Sequence, residues 1–181
     1  VLAAIAERNS LDTADVDDVI FGCSMQAGTQ AGDLGRMAAL DAGYDITASG
    51  VTLDRFCGSG TTGAAFGSAQ VMSGMEDVVI SGGAEMMSSY AANTAGSSRS
   101  PFMDGGNERL RARHPQTNQG VAADGIATLE EIPRAALDEL SAESQRRAEI
   151  AIKEGRFDKS LVPVHHADGT LALDHEEYPR P

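Results

Sequence analysis

The chain predicts an α/β fold built on a parallel sheet. Three observations lead there. A strand-like run, an abrupt turn, a helix of small residues and a second strand-like run follow one another within about thirty residues between Val51 and Ser81; such a βαβ unit joins parallel strands. Of the 20 glycines, 16 lie between Gly22 and Gly106, which concentrates tight turns and close backbone approaches in the first half. The second half is more charged and carries helical periodicity. A length of 181 residues suits one large domain or one and a half small ones. The expected division is an α/β core domain over 1–90 and a mainly helical unit over 91–181.

Val1–Arg8 reads as the end of a helix with no capping residue before it, closed by Asn9-Ser10, and Asp12 starts a short turn. Val16–Phe21 reads as a strand stopped at Gly22, and Gly28, Gly32 and Gly35 punctuate a loop. Leu34–Ala42 is a helix with Leu34, Met37 and Ala38 on one face and Gly43 closing it. Val51–Phe56 is a strand, Cys57–Gly60 a turn, and Thr61–Met75 a helix with Ala65, Ala69 and Met72 on one side. Its tiny residues predict burial on more than one side. Asp77–Ser81 is a buried strand followed by Gly82-Gly83. Beyond Tyr90, Ala91–Gly106 is loop-like. Gly120–Glu131 is a helix broken at Ile132-Pro133, and Pro133 starts the helix Arg134–Glu154, capped by Gly155. Val162–His165 and Leu171–Leu173 flank Ala167–Thr170 as a hairpin.

Composition excludes several classes. With 14 Lys+Arg against 27 Asp+Glu, the net charge is −13, unsuited to neutralising nucleic-acid phosphates. No apolar run approaches the ~20 residues that span a bilayer, and no basic flank precedes a long apolar segment as in a signal peptide. Two cysteines, Cys23 and Cys57, make neither a disulfide framework nor a zinc site; no metal is expected, and a reduced, cytoplasmic setting fits.

The sharpest feature is Phe56-Cys57-Gly58-Ser59-Gly60, which sets a cysteine between strand and helix. The turn lifts the side chain clear of the sheet edge, and the flanking glycines leave room for a substrate carbonyl. The helix N-terminus offers unpaired N–H groups and partial positive charge, which favour a thiolate and an oxyanion. A small buried hydrophobe is the alternative role for Cys57. Cys23, with no helix behind it, reads as structural. A cysteine nucleophile needs a base, and His114, His165, His166 and His175 stand in no catalytic motif; each reads as solvated or structural.

Val51-Thr-Leu-Asp-Arg-Phe-Cys57-Gly-Ser-Gly-Thr-Thr-Gly-Ala-Ala, followed by Gly82-Gly83-Ala84-Glu85-Met86-Met87-Ser88, resembles the N-terminal half of a thiolase, with Gly82 25 residues after Cys57. Val19–Gly22 through Gly32 and Leu34–Leu40 resemble the family's Gly-rich loop and following helix. Gln119–Asp124, Ser144–Ala148, Gly155–Phe157, Val162–Val164 and Glu177–Pro181 resemble successive segments of its loop domain. The resemblance therefore covers nearly the whole chain in order.

The resemblance implies a layered α-β-α-β-α fold, of which this chain would hold an N-terminal core domain lacking its first strand (1–90) and an incomplete inserted loop domain (91–181), with the C-terminal domain absent. It implies an acyl-CoA acyltransferase that makes or thiolytically cleaves a 3-ketoacyl-CoA, as in fatty-acid metabolism and β-oxidation. Cys57 would be the nucleophile, its backbone N–H an oxyanion donor, and Glu85 a supporting carboxylate; a strand-end cap is Glu85's other role. Gln119 and Gln145 would contact coenzyme A, unless they are simply exposed helix polar residues. Arg109, Arg111 and Arg113 would meet its phosphates, unless they belong to a solvated loop. Acyl-CoA and CoA are the expected partners, as substrates rather than a permanently bound cofactor. No nucleic acid or membrane is expected, and the assembly would be a homodimer or homotetramer. The family's activating His, second Cys and further oxyanion groups come from its C-terminal half, so the fragment alone is expected to be inactive. Some members carry His-Met where this chain has Asn118-Gln119. Two alternatives are a ketoacyl-synthase-like condensing enzyme and a non-catalytic acyl-CoA-binding subunit of thiolase ancestry. Gly82–Ser88 and the long insertion argue against the first, and the intact Cys57 turn against the second.

Overall fold

Side chains alternate across a strand, so the order Asp-Val-Ile-Phe-Gly along β1 (Asp18–Gly22) sends Val19 and Phe21 to one face and Asp18, Ile20 and Gly22 to the other. A computed structural model describes residues 1–89 and 103–180. The chain divides into two units, Val1–Ser97 and Ser98–Pro181. The boundary expected at 90/91 and residues 91–102 of the expected loop lie outside the described residues.

In the first unit, β2 (Val51–Leu53) and β3 (Val79–Gly83) both pair in parallel with β1, giving the order β2-β1-β3. Ile20 stands opposite Val51 on one side and Ser81 on the other. The sheet is parallel as expected, but the crossover from β2 to β3 passes over β1, so the two strands of the βαβ unit are not neighbours. On one face Val19 and Ile80 pack with Leu2 of α1 (Leu2–Asn9), Ala39 of α2 (Leu34–Asp41), Tyr44 and Ala48. The Tyr44 hydroxyl donates to the Leu2 carbonyl (3.1 Å), tying the two helices. On the other face lies α3 (Ser59–Ser73), and the Ser81 hydroxyl donates to the Gly63 carbonyl (3.1 Å). The unit is thus an α/β/α sandwich.

Several boundaries differ from the sequence reading, for local reasons. β1 begins at Asp18 rather than Val16, because Val16 donates to the Thr13 carbonyl and closes a 3₁₀ turn capped by Asp12. Gly22 and Gly82-Gly83, read as breaks, are paired strand ends. β2 stops at Leu53, three residues short of Phe56. The fully buried residues of α2 are Gly35 and Ala39; of the expected face, Ala38 packs half-buried against the same core, Leu34 is half-buried and Met37 is exposed. The smaller residues let the helix approach the sheet, and the Gly35 N–H donates to Thr52 Oγ1 (2.9 Å). In α3 the buried residues are Ser59, Thr62, Gly63 and Gly67, whereas Ala65, Ala69 and Met72 are exposed. The narrowest stripe of the helix meets the sheet, and its other faces, including Phe66 (49% exposed) and Met72 (87%), are uncovered within this unit.

The second unit holds α4 (Glu108–Arg113), α5 (Gln119–Leu129), α6 (Arg134–Lys153) and an antiparallel pair, β4 (Val164–His165) with β5 (Leu171–Leu173). α4 falls where the sequence suggested only a loop. Asn107 Oδ1 caps it by accepting the Leu110 N–H (3.0 Å), and Arg111 pairs twice with the buried Asp104 carboxylate (2.7 and 3.0 Å). α6 carries i,i+3 and i,i+4 ion pairs, Arg134–Asp138 and Glu143 with Arg146 and Arg147. Among the described residues of this unit no apolar side chain is fully buried. No helix among the described residues is long and apolar enough to cross a membrane.

Candidate active site

β2 delivers the chain at Leu53 into a turn that hydrogen bonds hold residue by residue. Asp54 Oδ1 accepts the Phe56 N–H (2.8 Å). The Gly58 N–H donates to the Arg55 carbonyl (3.1 Å) and the Ser59 N–H to the Phe56 carbonyl (3.0 Å). The Ser59 hydroxyl donates to the Phe56 carbonyl (2.6 Å) and accepts the Arg55 N–H (2.8 Å). Phe56 takes a left-handed conformation (φ 49°), a strained setting for a bulky residue. Gly58 is the N-cap of α3, so Cys57 stands one residue before it, with an exposed thiol. The end of β1 presses on this helix start: a Cβ on Gly22 would lie 2.4 Å from the Ser59 carbonyl carbon and 2.5 Å from the Gly60 nitrogen. Only glycine permits that approach. Cys57 opens onto a cleft of about 630 Å³, whose walls include Ser24, Met25, Phe56, Glu85, Met86 and Met87.

Cys23 contrasts with it. This thiol is 1% exposed at the end of β1, with its N–H on the Leu53 carbonyl (3.0 Å). Burial pushes its pKa up, and the negative charges of Glu85 and Asp54 add to the effect.

Glu85 follows β3 and ties it to the segment after β1. Its Oε2 accepts the N–H groups of Ser24 (2.8 Å) and Met25 (3.3 Å), and its Oε1 accepts from Gln30 Nε2 (3.0 Å). Gln30 is 2% exposed. Its amide also donates to the Met25 carbonyl (2.9 Å) and accepts the Met86 N–H. Two loops that wall the cleft are thereby stitched together. Sequence reasoning missed Gln30, because a glutamine among glycines reads as loop polarity; its burial comes from the 3₁₀ turn Gly28–Gln30. Ser59 was passed over as a spacer between glycines.

The remaining expected residues lie in the second unit. Gln119 is exposed at the start of α5. Gln145 is half-buried on α6, and its Oε1 accepts the Arg180 N–H (2.6 Å). Of the three arginines on α4, Arg111 is engaged with Asp104, and Arg109 and Arg113 are exposed. His175 contacts Asp174 (Nδ1 to Oδ1, 2.7 Å), and the carboxylate raises its pKa. All four histidines follow residue 113, so the first unit has no imidazole to activate Cys57. Among the described residues, no three His, Cys, Asp or Glu side chains converge as a metal set.

Comparison with known proteins places this geometry in context. A family model described as "Thiolase, N-terminal domain" matches residues 1–181. The steroid 3-ketoacyl-CoA thiolase FadA6 of Mycobacterium tuberculosis is 34% identical over 177 residues, covering 94% of this chain and 43% of that protein. A 3-ketoacyl-CoA thiolase of Psychrobacter arcticus is 35% identical (96% and 43% covered), and a beta-ketoadipyl-CoA thiolase of Acinetobacter baylyi is 32% identical (99% and 48%). The crystal structure of the Bacillus anthracis acetyl-CoA acetyltransferase superposes with a TM-score of 0.78 at 29% identity, over 99% of this chain and 48% of that one. The chain spans less than half the length of these relatives.

Proposed function

Because the chain belongs to the thiolase family, whose N-terminal domain its residues 1–181 match, we propose that the protein it forms part of is an acyl-CoA acyltransferase working through an acyl thioester on Cys57. One observation carries the reading: of the two thiols, the exposed one stands beside the N-terminal end of α3, on the wall of a cleft.

In the proposed step the Cys57 sulfur bonds to the carbonyl carbon of an acyl-CoA as the carbon–sulfur bond to CoA breaks. CoA leaves as a free thiol carrying the proton that Cys57 gave up, so the step is balanced without an oxidant. Negative charge gathers on the carbonyl oxygen on the way, and the Cys57 N–H, which has no acceptor among the described residues, is the donor it needs. A second acyl-CoA, deprotonated at its α carbon, then takes the acyl group in the condensing direction; in the reverse direction the Cys57 thiol attacks the 3-keto carbon of a 3-ketoacyl-CoA, the C2–C3 bond breaks as the departing acyl-CoA takes the proton at C2, and CoA thiol then takes the acyl group from Cys57 and returns a proton to it. The proposed role of Glu85 is to hold the cleft loops in place through its backbone and Gln30 bonds rather than to move protons.

The base is proposed to come from the longer protein, in keeping with the relatives' length and the absence of His before residue 114. The proposal extends, on family membership alone, to a complete α-β-α-β-α assembly in which the second unit is the inserted loop domain, to a homodimer or homotetramer, to a cytoplasmic setting and to a place in acyl-chain degradation. Within the loop domain, Gln119 keeps both ends of its amide for coenzyme A, whereas Gln145 offers only its N–H₂. Neither a ketoacyl synthase nor a non-catalytic subunit gains support from relatives that are all thiolases or an acetyltransferase.

The test is made on the full-length protein. Incubation with acetyl-CoA is expected to leave an acetyl mass increase on the peptide holding Cys57. An increase on the Cys23 peptide, or none, sinks the assignment.

A further inference from the structure

We propose that Ser59 is the positioning residue of the nucleophile turn, its hydroxyl clamping Arg55 and Phe56 so that the Cys57 N–H stays available to a developing oxyanion. The inference rests on the acyl-transfer reading above. It starts from an accounting of the turn's donors. From Arg55 to Ser59 the N–H groups go to Ser59 Oγ, to Asp54 Oδ1, to the Arg55 carbonyl and to the Phe56 carbonyl, and only that of Cys57 makes no hydrogen bond among the described residues. Of the turn's five donors, the Cys57 N–H alone is left open to an incoming acceptor, and it stands on the exposed side of the turn, where Cys57 meets the cleft.

Ser59 supplies the organisation. It is 5% exposed, and both bonds of its hydroxyl end on the two residues before Cys57. It also spans the left-handed Phe56 (φ 49°), a conformation that persists only where the surroundings hold it. Without the hydroxyl the Arg55 N–H loses its acceptor, and the turn is free to relax towards ordinary dihedrals. Relaxation of that kind lets the Cys57 N–H find a carbonyl of its own. Asp54 cannot replace the clamp, because its carboxylate reaches only the Phe56 N–H.

Attack on a thioester needs an oxyanion donor, whereas alkylation of the same sulfur by iodoacetamide, a displacement at saturated carbon, does not. The test therefore compares the two reactions at Cys57 in the full-length protein. Ser59→Ala is expected to slow acylation by acetyl-CoA by about 10- to 100-fold, somewhat less than outright removal of an oxyanion donor. Iodoacetamide alkylation should change less than about 3-fold, since the thiol remains in place. Ser59→Thr, which keeps the hydroxyl, should acylate within about 5-fold of wild type. Acylation at the wild-type rate in Ser59→Ala, or equal losses in both reactions, overturns the proposal. If Ser59→Ala does not fold, Ser59→Thr decides: a folded variant more than about 10-fold slow in acylation overturns it. Wild-type protein that takes no acyl group at Cys57 overturns the acyl-transfer reading itself, and this inference with it, which separates the two failures.

Discussion

Access separates the two thiols, and access governs what a sulfur can do. Cys57 is exposed, while Cys23 lies under the cleft with burial and two carboxylates holding it in the thiol form. In native protein iodoacetamide is therefore expected to modify Cys57 at least about 10-fold faster than Cys23, read by peptide mass spectrometry; comparable rates would contradict the placement of Cys23. Gln30 shows what one buried amide holds together. Gln30→Leu keeps the bulk but takes the Gln30 amide away from Glu85 Oε1 and the Met86 N–H, and removes one of two donors from the Met25 carbonyl, which keeps the Ala27 N–H (2.8 Å). A loss of about 1–3 kcal/mol in urea unfolding is expected. Cys57 was legible in the sequence because a cysteine between strand, glycines and helix is a local pattern. Gln30 and Ser59 were not, because what makes them matter is burial, and burial depends on segments up to 56 residues away, as in the Met86–Gln30 bond.

At the scale of elements, the starts of β1 and β3 gather negative charge. The Asp17 carboxylate accepts the Asp77 and Val78 N–H groups, which lowers its pKa, while Glu76 is pushed up by burial and by the charges of Asp18 and Asp17. A carboxyl with a raised folded pKa destabilises the fold where it is ionised, and that cost disappears as pH falls through the raised value. Glu76→Gln is accordingly expected to raise Tm at pH 7, by about 2 °C, and to leave it unchanged below the unfolded Glu pKa, near about 4.3. Asp104 has the opposite sign. Its Arg111 partner and the Gly106 N–H lower its pKa, so its support for α4 is present above about pH 4 and fades as acid protonates it. Loss of helical circular dichroism below that pH, absent in Asp104→Asn, checks the assignment. The parallel sense of the sheet could be read in advance because a helix between two strands returns the chain to the same end of the sheet, although β2 and β3 each pair with β1 and not with each other. Strand ends could not, because Gly22, Gly82 and Gly83 are turn formers by propensity and become strand residues only where neighbouring backbones come close.

For the whole molecule, the pertinent fact is that 181 residues span less than half of each relative. The first unit carries Cys57, the proposed nucleophile, and no histidine precedes residue 114. The 181-residue polypeptide alone is expected to show no steady-state turnover of acetoacetyl-CoA with CoA, while the full-length protein does. Turnover by the shorter chain would mean that the activating base is encoded within it.

The strand order also dictates how this sheet can assemble. β1 is made first yet lies between the other two, so each of its hydrogen-bonding edges waits for a partner from further along the chain. Pairing Asp18 with Val79 closes a loop of about sixty residues, whose entropy is lost before any ladder bond is gained. Among the described residues of the first unit both strand pairings are parallel, so neither is a hairpin that could start the process locally. The sheet is therefore the slow step of folding, and α3, the one long local structure available beforehand, is the element on which β1 and β3 can first be brought together.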